Sequence, residues 1–405
     1  MVTHVSRNFC IAPFSQFTLS PSGRYSPCPE IGARLSKIAN ADPYTMWNSE
    51  VMDELRQSFL ENKRHVACDR CWKQEDLGKL SLRKNLLTQN ISGGAKFKKG
   101  ELNDWLDYKY KQGPKQINLI VGNKCNLRCR YCGTVSSVTY SVEGKVYADQ
   151  IKDEKQSHVY FRNSLRPNEF SHKQIEELFQ FSKNLTRLEF YGGEPLLDKP
   201  TLILLEKLIA SGQSKEIALF YNTNCVTEIT SRQFELWNQF KSIEFNCSVD
   251  DVGDRFHYIR HPGQWLDFTN TLQKIRTYSW DIPFQTTAIT TIGNLNVFYL
   301  PEIIETLTEL NLKVYLNTIH NPDWYDIRSL PMPIKEQIAD KLKQSRHINQ
   351  FQFVLNYLKE NENLENWEKF KTWTKMKDQY RQENFVDVYP EFYSVIKQYE
   401  DFYNV

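Results

Sequence analysis
Cys125, Cys129 and Cys132 follow one another at spacing C-x3-C-x2-C, directly after the apolar run Ile117–Val121. Thiolates are the usual ligands of iron–sulfur clusters, and a [4Fe–4S] cube normally takes four of them. Three close thiolates with no local fourth leave one iron open, able to hold a small molecule through an amine and a carboxylate. The alternatives are buried thiols or a closed zinc site. Zinc asks for four ligands, and no histidine follows Cys132 before His158.

Four further cysteines form two pairs near the start of the chain. Cys10 precedes the run Phe17-Thr18-Leu19, a Ser20-Pro21-Ser22-Gly23 turn and a second run ending at Cys28. These read as a β-hairpin that brings Cys10 towards Cys28. A helical pattern from Met46-Trp47 to Leu60 leads to the C-x2-C knuckle Cys68-Asp69-Arg70-Cys71. Four thiols complete a metal site, and zinc and an iron–sulfur cluster both satisfy the ligand count. Cys225 and Cys247 fall in or near strands and read as buried thiols.

The elements that must position these residues are legible as alternation. Strand-like runs occur at 117–121, 186–191, 216–221, 242–249, 284–291 and 313–317. Helical patterns lie between them, at 171–182, 200–210, 231–240, 264–278 and 300–310. Such alternation predicts parallel strands with crossover helices, an α/β partial barrel of six βα units. Barrel chemistry sits at the carboxyl ends of the strands, and the cysteine loop follows the first. After the second comes Tyr191-Gly192-Gly193-Glu194-Pro195; after the third, Asn222-Thr223-Asn224; after the fourth, Ser248-Val249-Asp250 and then His257 to His261.

The 405 residues divide into a cysteine-rich α+β domain (1–89), a linker (90–112), the barrel (113–319) and a C-terminal helical segment (320–405). The linker carries Lys96, Lys98 and Lys99, read as solvated. The polar insert from Thr134 to Asn168 is a candidate cover for the barrel mouth. In the last segment, Trp367, Phe370 and Trp373 recur at helical spacing, as expected of helices packed over the barrel. A formal net charge of +2 gives no global reason to expect nucleic acid or a membrane surface. No apolar run reaches the ~18 residues of a membrane span, and Met1–Asn8 lacks the apolar core of a secretory signal. The cytosol is the default expectation.

The stretch Gly122–Cys132 closely resembles the signature of radical S-adenosylmethionine (SAM) enzymes, and Gly192-Gly193-Glu194-Pro195 matches that family's GGEP motif. The resemblance covers most of residues 1–318. It implies a SAM-binding [4Fe–4S] cluster on Cys125, Cys129 and Cys132, with Gly192, Gly193 and Glu194 at the SAM amino group. It also implies Tyr131 near the adenine, with 288–293 as a further adenine wall. Asn222, Asn224, Ser248 and Asp250 would line the ribose and carboxylate, and Arg260 is a candidate carboxylate partner, since guanidinium binds carboxylates bidentately. His257 and His261 are candidate proton relays, though lone histidines near a loop are usually structural. The N-terminal cysteines resemble the SPASM and twitch domains of the same family, which implies an auxiliary [4Fe–4S] cluster on Cys10, Cys28, Cys68 and Cys71. Here they precede the barrel, whereas in the best-known members they follow it, and the full SPASM pattern has more cysteines.

The resemblance therefore implies an enzyme that reductively cleaves SAM and removes a hydrogen atom from a peptide or small metabolite. An electron donor such as flavodoxin or ferredoxin is the expected partner, and no membrane or specific nucleic acid is expected. No leader-binding domain is seen before Cys10, which weakens the peptide reading. A non-catalytic zinc-knuckle and barrel binding protein is the alternative, against which the intact Cys125, Cys129, Cys132 and Glu194 argue.

Overall fold
The computed structural model describes residues 7–31, 36–37, 42–76, 80–88, 109–150, 168–400 and 402. The strands are β1 Gln16–Leu19, β2 Arg24–Ser26, β3 Ser36–Lys37, β4 Gln116–Ile120, β5 Arg187–Tyr191, β6 Ala218–Thr223, β7 Ser242–Ser248, β8 Phe284–Ile292 and β9 Lys313–Thr318. They form one sheet in the order β3-β2-β1-β4-β5-β6-β7-β8-β9. From β4 to β9 each strand pairs in parallel with the next. Helix-bearing crossovers connect them, as the alternating pattern requires. The expected α/β partial barrel with a helical C-terminus is thus the architecture observed. Crossover helices start at strong caps. Ser171 and Thr230 each form a capping box, with Gln174 and Gln233, and the Asp198 carboxylate accepts from Thr201 N at 2.9 Å.

The N-terminal hairpin is present. Ser20 N donates to Arg24 O across the turn, and Gly23 supplies the positive φ of 75° that the turn needs. β1 also runs parallel to β4, with Gln16 opposite Gln116 and Leu19 opposite Leu119. The hairpin therefore continues the barrel sheet. Helices Pro43–Trp47, Glu50–Leu60 and Asp69–Asp76 complete the cysteine-rich region. Residues 90–108 of the expected linker, with Lys96, Lys98 and Lys99, lie outside the described residues. So does 151–167 of the polar insert; its earlier part forms the helix Tyr140–Gln150.

Alternation along the strands sorts the sheet into two faces. Ile117, Leu119, Leu188, Phe190, Leu219, Tyr221, Ile243 and Phe245 all belong to the main apolar core. Phe190 and Tyr221 stack there at 4.3 Å. The intervening positions are mostly polar, as at Gln116 and Asn118, Arg187 and Glu189, and Glu244 and Asn246, with Phe220 an apolar exception on β6. Parallel strands covered by apolar layers on both faces read as near-continuous hydrophobic runs. These do not, because their inner face lines a cavity.

The C-terminal segment does more than cover the barrel. Helix Leu364–Arg381 lies on the cysteine loop and holds it by buried charges. Arg130, fully buried, stacks on Tyr258 at 3.5 Å and donates to Asp378 and Glu383 at 2.5 Å each. Lys377 Nζ donates to Arg130 O at 2.9 Å, and Arg381 donates to Arg128 O at 2.6 Å and to Glu143 on the insert helix. From the barrel side, Arg128 N and Arg130 N donate to His261 O and Ile259 O. Removing one partner of a buried ion pair leaves an uncompensated charge, which costs about 3–5 kcal/mol. Arg130→Leu is therefore expected to lower unfolding stability in urea by about that amount. A loss below ~1 kcal/mol would show that Asp378 and Glu383 regain water and that the lock is not buried in solution.

Candidate active site
The cysteines singled out in the sequence fall into two sets in the fold. At the first, Cys125, Cys129 and Cys132 follow β4. Burial pushes the Cys129 thiol up to about 12, and the adjacent Arg260 guanidinium pulls it back. Burial raises Cys125 as well, reinforced by Cys129 and Glu194. At the second, Cys10, Cys28, Cys68 and Cys71 line one pocket, closed by apolar side chains such as Phe59 and Leu86. Burial raises the Cys10 thiol, and the neighbouring Cys68 and Cys71 raise it further.

The spacing of the sulfurs tests what each set can hold. Zn–S bonds of about 2.3 Å in a tetrahedron put sulfurs roughly 3.8 Å apart. Among the described residues, the set of three potential ligand atoms that lie within 4.8 Å of one another is His257, His261 and Glu383. No three cysteine sulfurs approach so closely. As they stand, neither thiol set has the close spacing of a zinc cage; the ligands of an iron–sulfur cube each bind a different iron and stand further apart.

The GGEP loop is built against the cysteine loop. Gly193 N donates to Gly122 O and Glu194 N to Lys124 O. A Cβ at Gly193 would lie 2.3 Å from Lys124 O, and Gly192 has φ of 114°. The close approach that demands these glycines is therefore to the cysteine-loop backbone. Glu194, 1 % exposed, accepts from Thr223 Oγ1 at 2.8 Å, Leu196 N at 3.0 Å and Asn224 N at 2.7 Å. Burial pushes its carboxyl up to about 7, against these three hydrogen bonds and Arg260.

Arg260 pairs with Asp250 at 2.8 Å, and its buried Nε has no hydrogen-bond partner. That free donor beside Cys129 fits a carboxylate. Asp250 itself is occupied, by Arg260 and by Thr291 N at 2.9 Å. Asn224 Nδ2 is spent on Asn126 of the cysteine loop at 2.7 Å. Asn222 faces the barrel cavity, and Ser248 ends β7. Tyr131 packs edge-on to Tyr325 at 5.1 Å, and its Oη fills the space that a Cβ on Gly293 would need. Tyr131 thus meets the end of the 288–293 stretch directly. His257 and His261 instead face Glu383, at 3.5 and 2.8 Å, in the C-terminal lock. Cys225 and Cys247 are fully buried and belong to neither thiol set.

A cavity of about 290 Å³ is lined by inward residues of β1 and β4 to β9 and by Pro29, Glu30, Gln74 and Leu82 of the N-terminal region. Glu30 and Leu82 also line the N-terminal cysteine pocket. Sequence reasoning missed Lys377, Asp378 and Arg381, which grip the cysteine loop, and the polar barrel lining. The lining had a signal, since polar residues recur at alternate positions along 116–118, 187–189 and 244–246.

The radical SAM superfamily model matches residues 119–307, and the SPASM iron–sulfur cluster-binding domain model matches residues 10–72. The radical SAM cyclopropyl synthase TigE of Paramaledivibacter caminithermalis is 33 % identical over 88 residues, which are 22 % of this chain and 17 % of that one. The match therefore spans under a fifth of the curated relative. Among solved structures, anSMEcpe with bound AdoMet aligns with a TM-score of 0.40 at 16 % identity, covering 61 % of this chain and 62 % of that one. Streptococcus suis SuiB bound to S-adenosylmethionine aligns with a TM-score of 0.39 at 12 % identity, covering 86 % and 71 %.

Anaerobic reconstitution is expected to give about eight irons per chain, from two four-iron clusters. Cys68→Ala/Cys71→Ala should retain about half. A wild-type value near four, with one zinc bound, would contradict the cluster assignment at the N-terminal cysteines.

Proposed function
We propose that this chain, a member of the radical SAM superfamily with an N-terminal SPASM domain, cleaves SAM reductively and oxidises or otherwise modifies a substrate held in the barrel cavity. These two domains bring a [4Fe–4S] cluster with SAM and an auxiliary iron–sulfur cluster. When loaded, the SAM-binding cluster supplies the electron that breaks a C–S bond of SAM, and the 5′-deoxyadenosyl radical released takes a hydrogen atom from the substrate. The protein's part is binding, orientation and exclusion of water.

One observation carries this reading. A buried guanidinium with an unbonded Nε (Arg260) and a buried carboxylate (Glu194) flank the same three thiols. They complement the carboxylate and the ammonium of one amino acid, which is the methionine end of SAM. Glu194 takes the ammonium through its remaining lone pairs, while Thr223, Leu196 and Asn224 fix its rotamer. Arg260, held by Asp250, offers Nε to the carboxylate. Cys125, Cys129 and Cys132 ligate the first cluster; Cys10, Cys28, Cys68 and Cys71 ligate the second. Glu30 and Leu82 wall both the N-terminal cysteine pocket and the barrel cavity, so a cluster held by those cysteines would adjoin a substrate in the cavity and would supply an electron acceptor for a net oxidation. A peptide or a small metabolite fits the role of substrate. A reductant of the flavodoxin or ferredoxin type supplies the first electron. No helix among the described residues is long and apolar enough to cross a membrane.

Calorimetric titration of SAM into the reconstituted protein tests the Glu194 assignment. Losing a charge-assisted hydrogen bond costs about 1.5–3 kcal/mol, so Glu194→Gln is expected to weaken SAM about ten- to hundred-fold with iron content unchanged. The sign with pH follows from the raised carboxyl. Its charge is present above about 7 and lost below it, so wild-type affinity should fall between pH 8 and pH 6. Glu194→Gln should abolish that dependence. Unchanged affinity in the variant would refute the role.

A further inference from the structure
The barrel cavity is rich in hydrogen-bond acceptors that the protein leaves unfilled. Arg187 Nε donates to Glu189 Oε1 at 2.5 Å, and Tyr191 Oη donates to the other Glu189 oxygen. Glu189 is thereby neutralised and filled. Glu244, two strands away in the sheet, meets the same guanidinium only at 3.6 Å, a contact that makes no hydrogen bond for Arg187 NH2. Burial pushes the Glu244 carboxyl up, Glu189 adds to that, and Arg187 and Lys313 oppose it. Two residues along β7, on the same face, Asn246 is 8 % exposed and its Oδ1 accepts no hydrogen bond. The other charged side chains lining the cavity are Glu30, whose Oε2 lies 2.9 Å from Arg70 without a hydrogen bond, and Lys313, exposed at the start of β9. A buried acceptor without a donor costs about 1–3 kcal/mol, and a half-satisfied carboxylate in the same wall adds to that.

An anion entering this space would meet Glu244 and Glu189. An aliphatic group would leave Asn246 Oδ1 and Glu244 without donors. A nitrogen cation supplies both: charge for Glu244 and N–H groups for Glu244 and Asn246 together. We propose that the barrel cavity seats a cationic nitrogen group of the substrate, an ammonium or a guanidinium, on Glu244 and Asn246. This rests on the reading of the chain as a radical SAM enzyme whose substrate enters the barrel. Tyr191 and Asn222 line the cavity on the side of the GGEP loop, and Glu30 and Leu82 line it on the side of the N-terminal cysteines. A cation bound at Glu244 therefore anchors the substrate between the two clusters.

The probes are Nα-acetyl-lysine methylamide and Nα-acetyl-arginine methylamide, with the norleucine and glutamate analogues as neutral and anionic controls. Each is titrated by calorimetry into the reconstituted, SAM-loaded protein. At least one cationic probe is expected to bind ten-fold or more tightly than the norleucine analogue; a lysine preference identifies an ammonium site and an arginine preference a guanidinium site. Glu244→Gln is expected to erase the preference, and Asn246→Leu to weaken it several-fold, with circular dichroism confirming that each variant is folded. Equal binding of the neutral or anionic probe, no binding of any probe, or a preference that survives Glu244→Gln in a protein that takes up SAM would overturn this proposal alone. A wild-type protein that does not bind SAM would instead overturn the reading it rests on.

Discussion
The site depends on a loop that cannot hold its own shape. Gly122–Cys132 has no regular structure, and its thiols need a fixed spacing to hold the proposed cluster. Surrounding elements impose that shape, three of them through its backbone at both ends of the cysteine run. The GGEP loop takes Gly122 O and Lys124 O, the segment after β7 takes Arg128 N and Arg130 N, and the C-terminal helix takes Arg128 O and Arg130 O. The backbone is thus clamped from three sides by hydrogen bonds whose donors and acceptors are mostly buried. Arg130 is the keystone, because its guanidinium ties Tyr258 on one side to Asp378 and Glu383 on the other. Buried charge networks of this kind specify one arrangement more than they add stability.

What was legible in the sequence was local. Three thiols at fixed spacing, a C-x2-C knuckle, a GGEP turn and alternating strand and helix patterns each declare themselves within a few residues. The pairing of β1 with β4 does not. Gln16 and Gln116 are brought together by a parallel register that no local pattern encodes. The grip of Lys377, Asp378 and Arg381 was hidden for a different reason. These charged residues look solvated in a helix where charge falls on every side, yet Lys377 is 2 % exposed. Only the fold supplies the partners that make their burial tolerable: the Arg130 guanidinium for Asp378, the Arg130 carbonyl for Lys377 and Glu143 for Arg381.

The inner face of the barrel was legible in principle. Gln116-Ile117-Asn118-Leu119 and Arg187-Leu188-Glu189-Phe190 alternate cleanly, a pattern out of place in parallel strands with two apolar layers. The apolar half packs under the crossover helices, and the polar half is left for a ligand. Several of its members are paired to one another, as Arg187, Glu189 and Tyr191 are, which keeps the wall rigid. The residues that remain under-satisfied are the ones that select what enters.

The account's central claim is that Cys125, Cys129 and Cys132 hold the cluster at which SAM is broken. Chromatographic measurement of 5′-deoxyadenosine tests it most directly, with anaerobically reconstituted protein, SAM and dithionite. The account predicts 5′-deoxyadenosine from the wild-type chain and from Cys68→Ala/Cys71→Ala, and none from Cys125→Ala/Cys129→Ala/Cys132→Ala. Formation that persists in the triple variant, or that is absent from a wild type carrying its full iron, would contradict it.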